Sequence, residues 1–145
     1  MAQIANPEWT ARTAKALLLI RILVGWVFVS EGIQKFVFPA QLGVGRFEKV
    51  GIPFSHFTAP FVGSIEIACG SLLLIGLFSR VAAVPLLGVI LVAIATTKLP
   101  MIAKTGMWSM LHEARTDFSM LLGLVFLLIT GAGTLSLDFR RKTRN

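Results

Sequence analysis

The stretch Ala16–Phe38, ALLLIRILVGWVFVSEGIQKFVF, decides how this chain folds. As a helix rising about 1.5 Å per residue, it is long enough to cross the roughly 30 Å hydrocarbon core of a bilayer. Three charged residues interrupt it: Arg21, Glu31 and Lys35. At about 100° per residue, Arg21, Gly25, Phe28, Gly32 and Lys35 share one stripe, with Glu31 to its side and one turn from Lys35. Glycines among charges let a neighbouring backbone approach closely, so this stripe is predicted to face protein rather than lipid.

Working outward, three further apolar windows join the first at 16–38. They lie at about 58–78, 81–97 and 113–133. The third is close to the ~17-residue minimum for a span. It carries Pro85 in its predicted first turn, where a missing N–H is tolerated. The chain is 55% hydrophobic and 14% charged, whereas soluble domains carry about 25% charged residues. The expected architecture is therefore all-α. It is a single integral-membrane four-helix bundle over residues 1–145, with both termini on the same side. The first run carries Arg21 and is too long for the apolar core of a cleavable signal, so it reads as an anchor.

Net charge is +7, and much of it sits in the basic tail 139–145, which holds Arg140, Arg141, Lys142 and Arg144. The positive-inside rule then directs both termini to the cytoplasmic side of a cytoplasmic (inner or plasma) membrane. In that setting the tail reads as an orientation signal on anionic lipid, not as a nucleic-acid arm. Membrane lipid is thus an expected partner and nucleic acid is not. The single cysteine, Cys69, allows no internal disulfide and no thiol relay, and reads as a small packing residue beside Gly70.

Depth connects the charges. Glu31 falls about 10 Å below the outer end of its helix, and Glu66, on a helix running the other way, about 12 Å below the same surface. Lys35 lies one turn nearer the outside, and the start of the last span brings His112, Glu113, Arg115 and Asp117 to that side. A buried polar cluster in the outer half is predicted, because an ionised carboxylate in hydrocarbon must be neutralised, paired or wetted. Its candidate ligand-binding residues are Glu31, Lys35, Glu66 and Glu113, with Arg21, His112 and Arg115 as additional candidates. No catalytic residue is assigned, and His56 and His112 belong to no local metal-ligand motif.

Three readings of the cluster stay open at this point. Glu31–Lys35 is one helix-internal pair, with Glu66 on Arg115 or a backbone donor, fixing register without chemistry. Alternatively, two carboxylates share a proton, or the cluster recognises a polar head group. Arg21 fits a snorkelling anchor as well as it fits a site.

These residues resemble the DoxX family of small four-helix membrane proteins. The matching features are Arg21, Gly25, Phe28, Gly32 and Lys35 on the first span, and Gly51-Ile52-Pro53 before the second. Glu66, Gly70, Gly76 and Arg80 follow, then Glu113, then the run Gly131-Ala132-Gly133-Thr134-Leu135-Ser136-Leu137-Asp138. The resemblance covers roughly residues 17–138. It implies an accessory subunit of a quinone-linked or antioxidant membrane oxidoreductase complex, with a quinone as the expected cofactor and a soluble or membrane redox protein as partner. It carries no agreed catalytic set. A non-enzymatic scaffold or a module binding lipid or a small hydrophobe is the alternative, and a homo-oligomer is compatible with either. Lacking a dithiol, a ligand motif or an intrinsic cofactor site, the chain is expected to need that partner to move electrons.

Overall fold

The computed structural model describes residues 7–143, without the side chains of residues 7–10 and 142; Arg144 and Asn145 of the basic tail lie outside the described residues. All regular structure among them is helical. The order is α1 (Pro7–Val37), α2 (Val44–Lys49), α3 (Ser55–Ile75), α4 (Ser79–Ala93), a π-helical turn (Ile94–Lys98), α5 (Leu99–Thr105), α6 (Met107–Glu113), α7 (Arg115–Thr130) and α8 (Leu137–Lys142). Among the described residues, three helices are long and apolar enough to cross a membrane: Ala11–Val37, Ser55–Ile75 and the continuous run Ser79–Thr105. The protein is a membrane protein built on these three.

The other two predicted windows differ in extent. The third span does not stop near residue 97, because the π-turn carries it into α5. Pro85 is correspondingly inside α4, not in its first turn. The fourth window is broken at Ala114, and α7 runs for 16 residues, just below the length of an unaided crossing.

α1, α3, α4 and α7 contribute to one core: Val24 and Phe28, then Leu73, then Ala82, Ala83, Leu86 and Ile90, then Met120, Leu124 and Leu127. Cys69 packs against its edge, half-buried, as expected of a small apolar residue.

The closest helix pair is α1 with α3, and glycine is the reason. A Cβ added at Gly25 would lie 2.8 Å from the Gly70 carbonyl oxygen, and one at Gly32 would lie 2.7 Å from that of Gly63. The contacts are reciprocal, since Cβ atoms at Gly70 and Gly63 would meet the carbonyls of Gly25 and Gly32. Two glycine pairs thus bring antiparallel backbones together, as the stripe on α1 predicted. At the end of α3, Gly76 adopts φ +70°, and Leu77 N–H donates to Leu72 O while Gly76 N–H donates to Leu73 O. This left-handed stop turns the chain directly into α4.

Candidate functional site

Buried charge occupies both ends of the helix pack. At the Gly76 end, Arg21 is only 1% exposed. Its Nε donates to Leu73 O at 2.9 Å and its Nη2 to Leu74 O at 2.8 Å. Nη1 donates to Ala132 O at 3.1 Å and to Leu135 O at 2.7 Å. The guanidinium therefore covers the last carbonyls of α3, the negative end of that helix, and the glycine-rich exit from α7. Beside it, Asp138 accepts from Phe78 N–H at 2.8 Å and Ser79 N–H at 3.1 Å, capping α4. Arg80 Nη2 donates to Ile129 O at 2.9 Å. Arg21 is accordingly a structural clamp: it does not reach the polar cluster, and, sealed among carbonyls, it does not snorkel to the interface either. A side chain at Gly76 would collide with this guanidinium.

The opposite end holds a cavity of about 570 Å³, in the range of small-molecule sites. Glu31, Lys35, Glu66 and Glu113 all line it, and so do Phe28 and Phe61. Lys35 Nζ lies 2.6 Å from Glu66 Oε2, with side chains 11% and 4% exposed. The expected pairing is thus corrected. Lys35 reaches across to α3, touches only the backbone carbonyl of Glu31 at 3.4 Å, and leaves the exposed Glu31 carboxylate at the cavity wall. Geometry explains the choice, because the glycine contact at Gly32 brings α3 within reach of Lys35 while Glu31 sits off the stripe. At this distance the contact is a tight, charge-assisted pair, so it is Glu66 Oε2 that holds the lysine.

Arg115 does not meet Glu66. Its Nη1 lies 2.7 Å from His112 Nε2 and donates to the His112 carbonyl at 3.3 Å, all on the exposed side of the α6–α7 break. Neither His112 nor Arg115 lines the cavity. His56 instead approaches Glu48 in the first connection, at 3.5 Å.

A second buried pair was not foreseen. Lys98 Nζ lies 3.4 Å from Asp117 Oδ2, with side chains 11% and 20% exposed, and donates to the Glu113 carbonyl at 3.1 Å. Both residues line the cavity. Lys98 ends the π-turn, where Thr96 and Thr97 hydroxyls donate back to Val92 O and Ala93 O. Such turns re-aim the residues that follow them and recur at functional sites. The signal in the sequence was Thr96-Thr97-Lys98 at the end of an apolar run, with Asp117 opposite. Glu113 contributes its carbonyl to this pair, while its side chain is exposed.

The charged lining therefore comprises three cations, Lys35, Arg46 and Lys98, against four carboxylates, Glu31, Glu66, Glu113 and Asp117. Its formal charge is one negative. Below this rim the walls are apolar, with Val27, Phe28, Ile65, Ile90 and Met120. Such a space suits a neutral molecule with a polar, oxygen-bearing head and an apolar body.

Comparison with known proteins agrees with this picture of the chain. The family model described as DoxX matches residues 16–99. An uncharacterized membrane protein of Mycobacterium tuberculosis, Rv3486, is 51% identical over 150 residues, covering 97% of this chain and 92% of that protein. CatD of Bacillus subtilis, whose name assigns it provisionally as an oxidoreductase, is 30% identical over 121 residues and 83% of each chain. No solved structure matches.

Proposed function

The chain belongs to the DoxX family, and from that premise we propose that it is an accessory subunit of a quinone-linked membrane oxidoreductase complex, with the cavity as its quinone site. The observation that carries this reading is the pairing of two buried ammonium groups, Lys35 and Lys98, around one apolar cavity. Each ammonium can donate to a ring oxygen while held by its carboxylate. Glu66, buried at the cavity wall and held by Lys35, is the carboxylate that would exchange a proton with such a ring. Phe28 and Phe61 offer flat apolar contact. When bound, a quinone supplies two-electron redox chemistry that these side chains lack. The resemblance to a provisionally named oxidoreductase points the same way.

The competing reading is a lipid-binding scaffold. A phospholipid phosphate would meet a lining of net negative charge, which favours the neutral ring. In this reading α7 completes a fourth crossing with the help of α6, and both termini lie in the cytoplasm. A cytoplasmic placement follows from Arg12, Lys15, Arg80 and the Arg140–Arg141 tail. Accessibility of cysteines placed at residues 12 and 106 to a membrane-impermeant maleimide tests that placement: only the second should react from outside.

The direct test is gentle purification with native mass spectrometry and an absorption spectrum, wild type beside Glu66→Gln. A co-purifying quinone or redox protein is the expected result, with partner-dependent turnover falling in the variant while expression and particle size stay normal. Normal folding with unchanged turnover would remove Glu66 from the chemistry. A colourless particle holding phospholipid alone would favour the scaffold.

A further inference from the structure

Two observations beyond the polar cluster bear on how a ligand reaches it. On α3 the exposed residues Phe57, Phe61, Ser64, Ala68, Ser71 and Ile75 recur at every third or fourth position and form its outward stripe. On α4, beyond Arg80 at its start, the exposed residues are Val81, Val84, Gly88, Leu91 and Val92. In helices this apolar, such stripes face lipid. Phe61, Gly88 and Val92 belong to the outward stripes and yet line the cavity. The cavity therefore breaks the lipid-facing surface between α3 and α4, nine residues along α4 from Ser79, or about 14 Å.

Gly88 is the second observation. A glycine inside a helix weakens it relative to alanine. At Gly25, Gly32, Gly63 and Gly70 the missing side chain lets a neighbouring helix in, and an added Cβ would collide. At Gly88 an added Cβ meets nothing within 4 Å. No protein atom uses the room that this glycine leaves, and the room is continuous with the cavity.

Resting on the quinone reading above, we propose that the gap between α3 and α4 is a lateral portal, through which a long-tailed quinone enters from the lipid phase and along which its tail lies against Gly88. Polarity along the cavity sets the orientation. The charged pairs hold the ring, and the apolar walls toward Gly88 and Val92 leave the tail among acyl chains. A ligand arriving from water would have no need of an opening at this depth.

Full-length protein in phospholipid nanodiscs is titrated with a decyl-tailed benzoquinone and with the tail-less ring, and bound species are read by native mass spectrometry. Gly88→Phe fills the portal, and Gly88→Leu does so with a smaller, more readily folded side chain. We expect either variant to lose at least tenfold in affinity for the tailed quinone while binding the tail-less ring within twofold of wild type. Variants that bind the tailed quinone as wild type does, or that lose both ligands equally, overturn the portal. A wild-type protein that binds neither quinone overturns the quinone reading itself. The portal is then decided in the same spectra by co-purified phospholipid: its loss in Gly88→Leu supports a lateral opening, and its retention overturns one.

Discussion

At the Gly76 end, Arg21 places its guanidinium on four backbone carbonyls and is sealed from solvent. At the cavity end, Lys35 and Lys98 pair with Glu66 and Asp117, and a space of about 570 Å³ lies beside them. Both arrangements bury cations, but they differ in what is left over. Carbonyl oxygens are fixed acceptors that cannot titrate or leave, so the arginine end has one arrangement. Carboxylates can exchange partners and protons, and here both pairs border open volume. Burial of a charge in a membrane helix therefore does not by itself mark a working site; exchangeable ion pairs beside open volume do.

Arg21→Met should break the comparison most severely. Loss of four charge-assisted hydrogen bonds is expected to cost about 5 kcal/mol or more, read as loss of folded protein after detergent extraction. Lys35→Met is next, at about 3–5 kcal/mol, because Glu66 would be stranded without a counter-charge. The double variant Lys35→Met/Glu66→Gln should recover to within about 2 kcal/mol of wild type while losing ligand, since a neutral pair can replace a buried ionic one. Glu66→Gln alone is milder than Lys35→Met, because the lysine can extend toward the cavity mouth and water, whereas Glu66 cannot. No substitution at Leu73 or Ala132 could rescue Arg21→Met in that way, since its acceptors are backbone.

Smaller effects sharpen the same contrast. Asp138→Ala removes the cap on α4 and should cost about 0.5–2 kcal/mol, seen as a lower melting temperature with ligand binding intact. Glu113→Gln should change stability by less than about 0.5 kcal/mol, because its carbonyl, not its exposed carboxylate, holds Lys98.

Sequence patterning carried the stripe on α1, its glycine contacts and the gathering of Glu31, Lys35, Glu66 and Glu113 at one end. Those follow from helical angle and depth, which are local properties. The pairing within the cluster did not follow, because it depends on which helix the glycines draw close. Lys98 falls just past the third apolar window, 81–97, and nothing local distinguishes a π-turn that swings a lysine inward from a helix that has ended. The run from Gly131 to Asp138 was legible only as a resemblance. Its physical meaning, carbonyls for Arg21 and a cap for α4, rests on contacts 59 to 114 residues apart.

The reach of Arg21 also sets an order of biogenesis. Its acceptors at Leu73 and Leu74 become available when the second hydrophobic segment has been inserted, but those at Ala132 and Leu135 only about 60 residues later. Until then the guanidinium has donors on Nη1 without their acceptors, so the first and third helices pair before the arginine is fully held. A chain cut before residue 131 therefore lacks two of the four acceptors that hold Arg21.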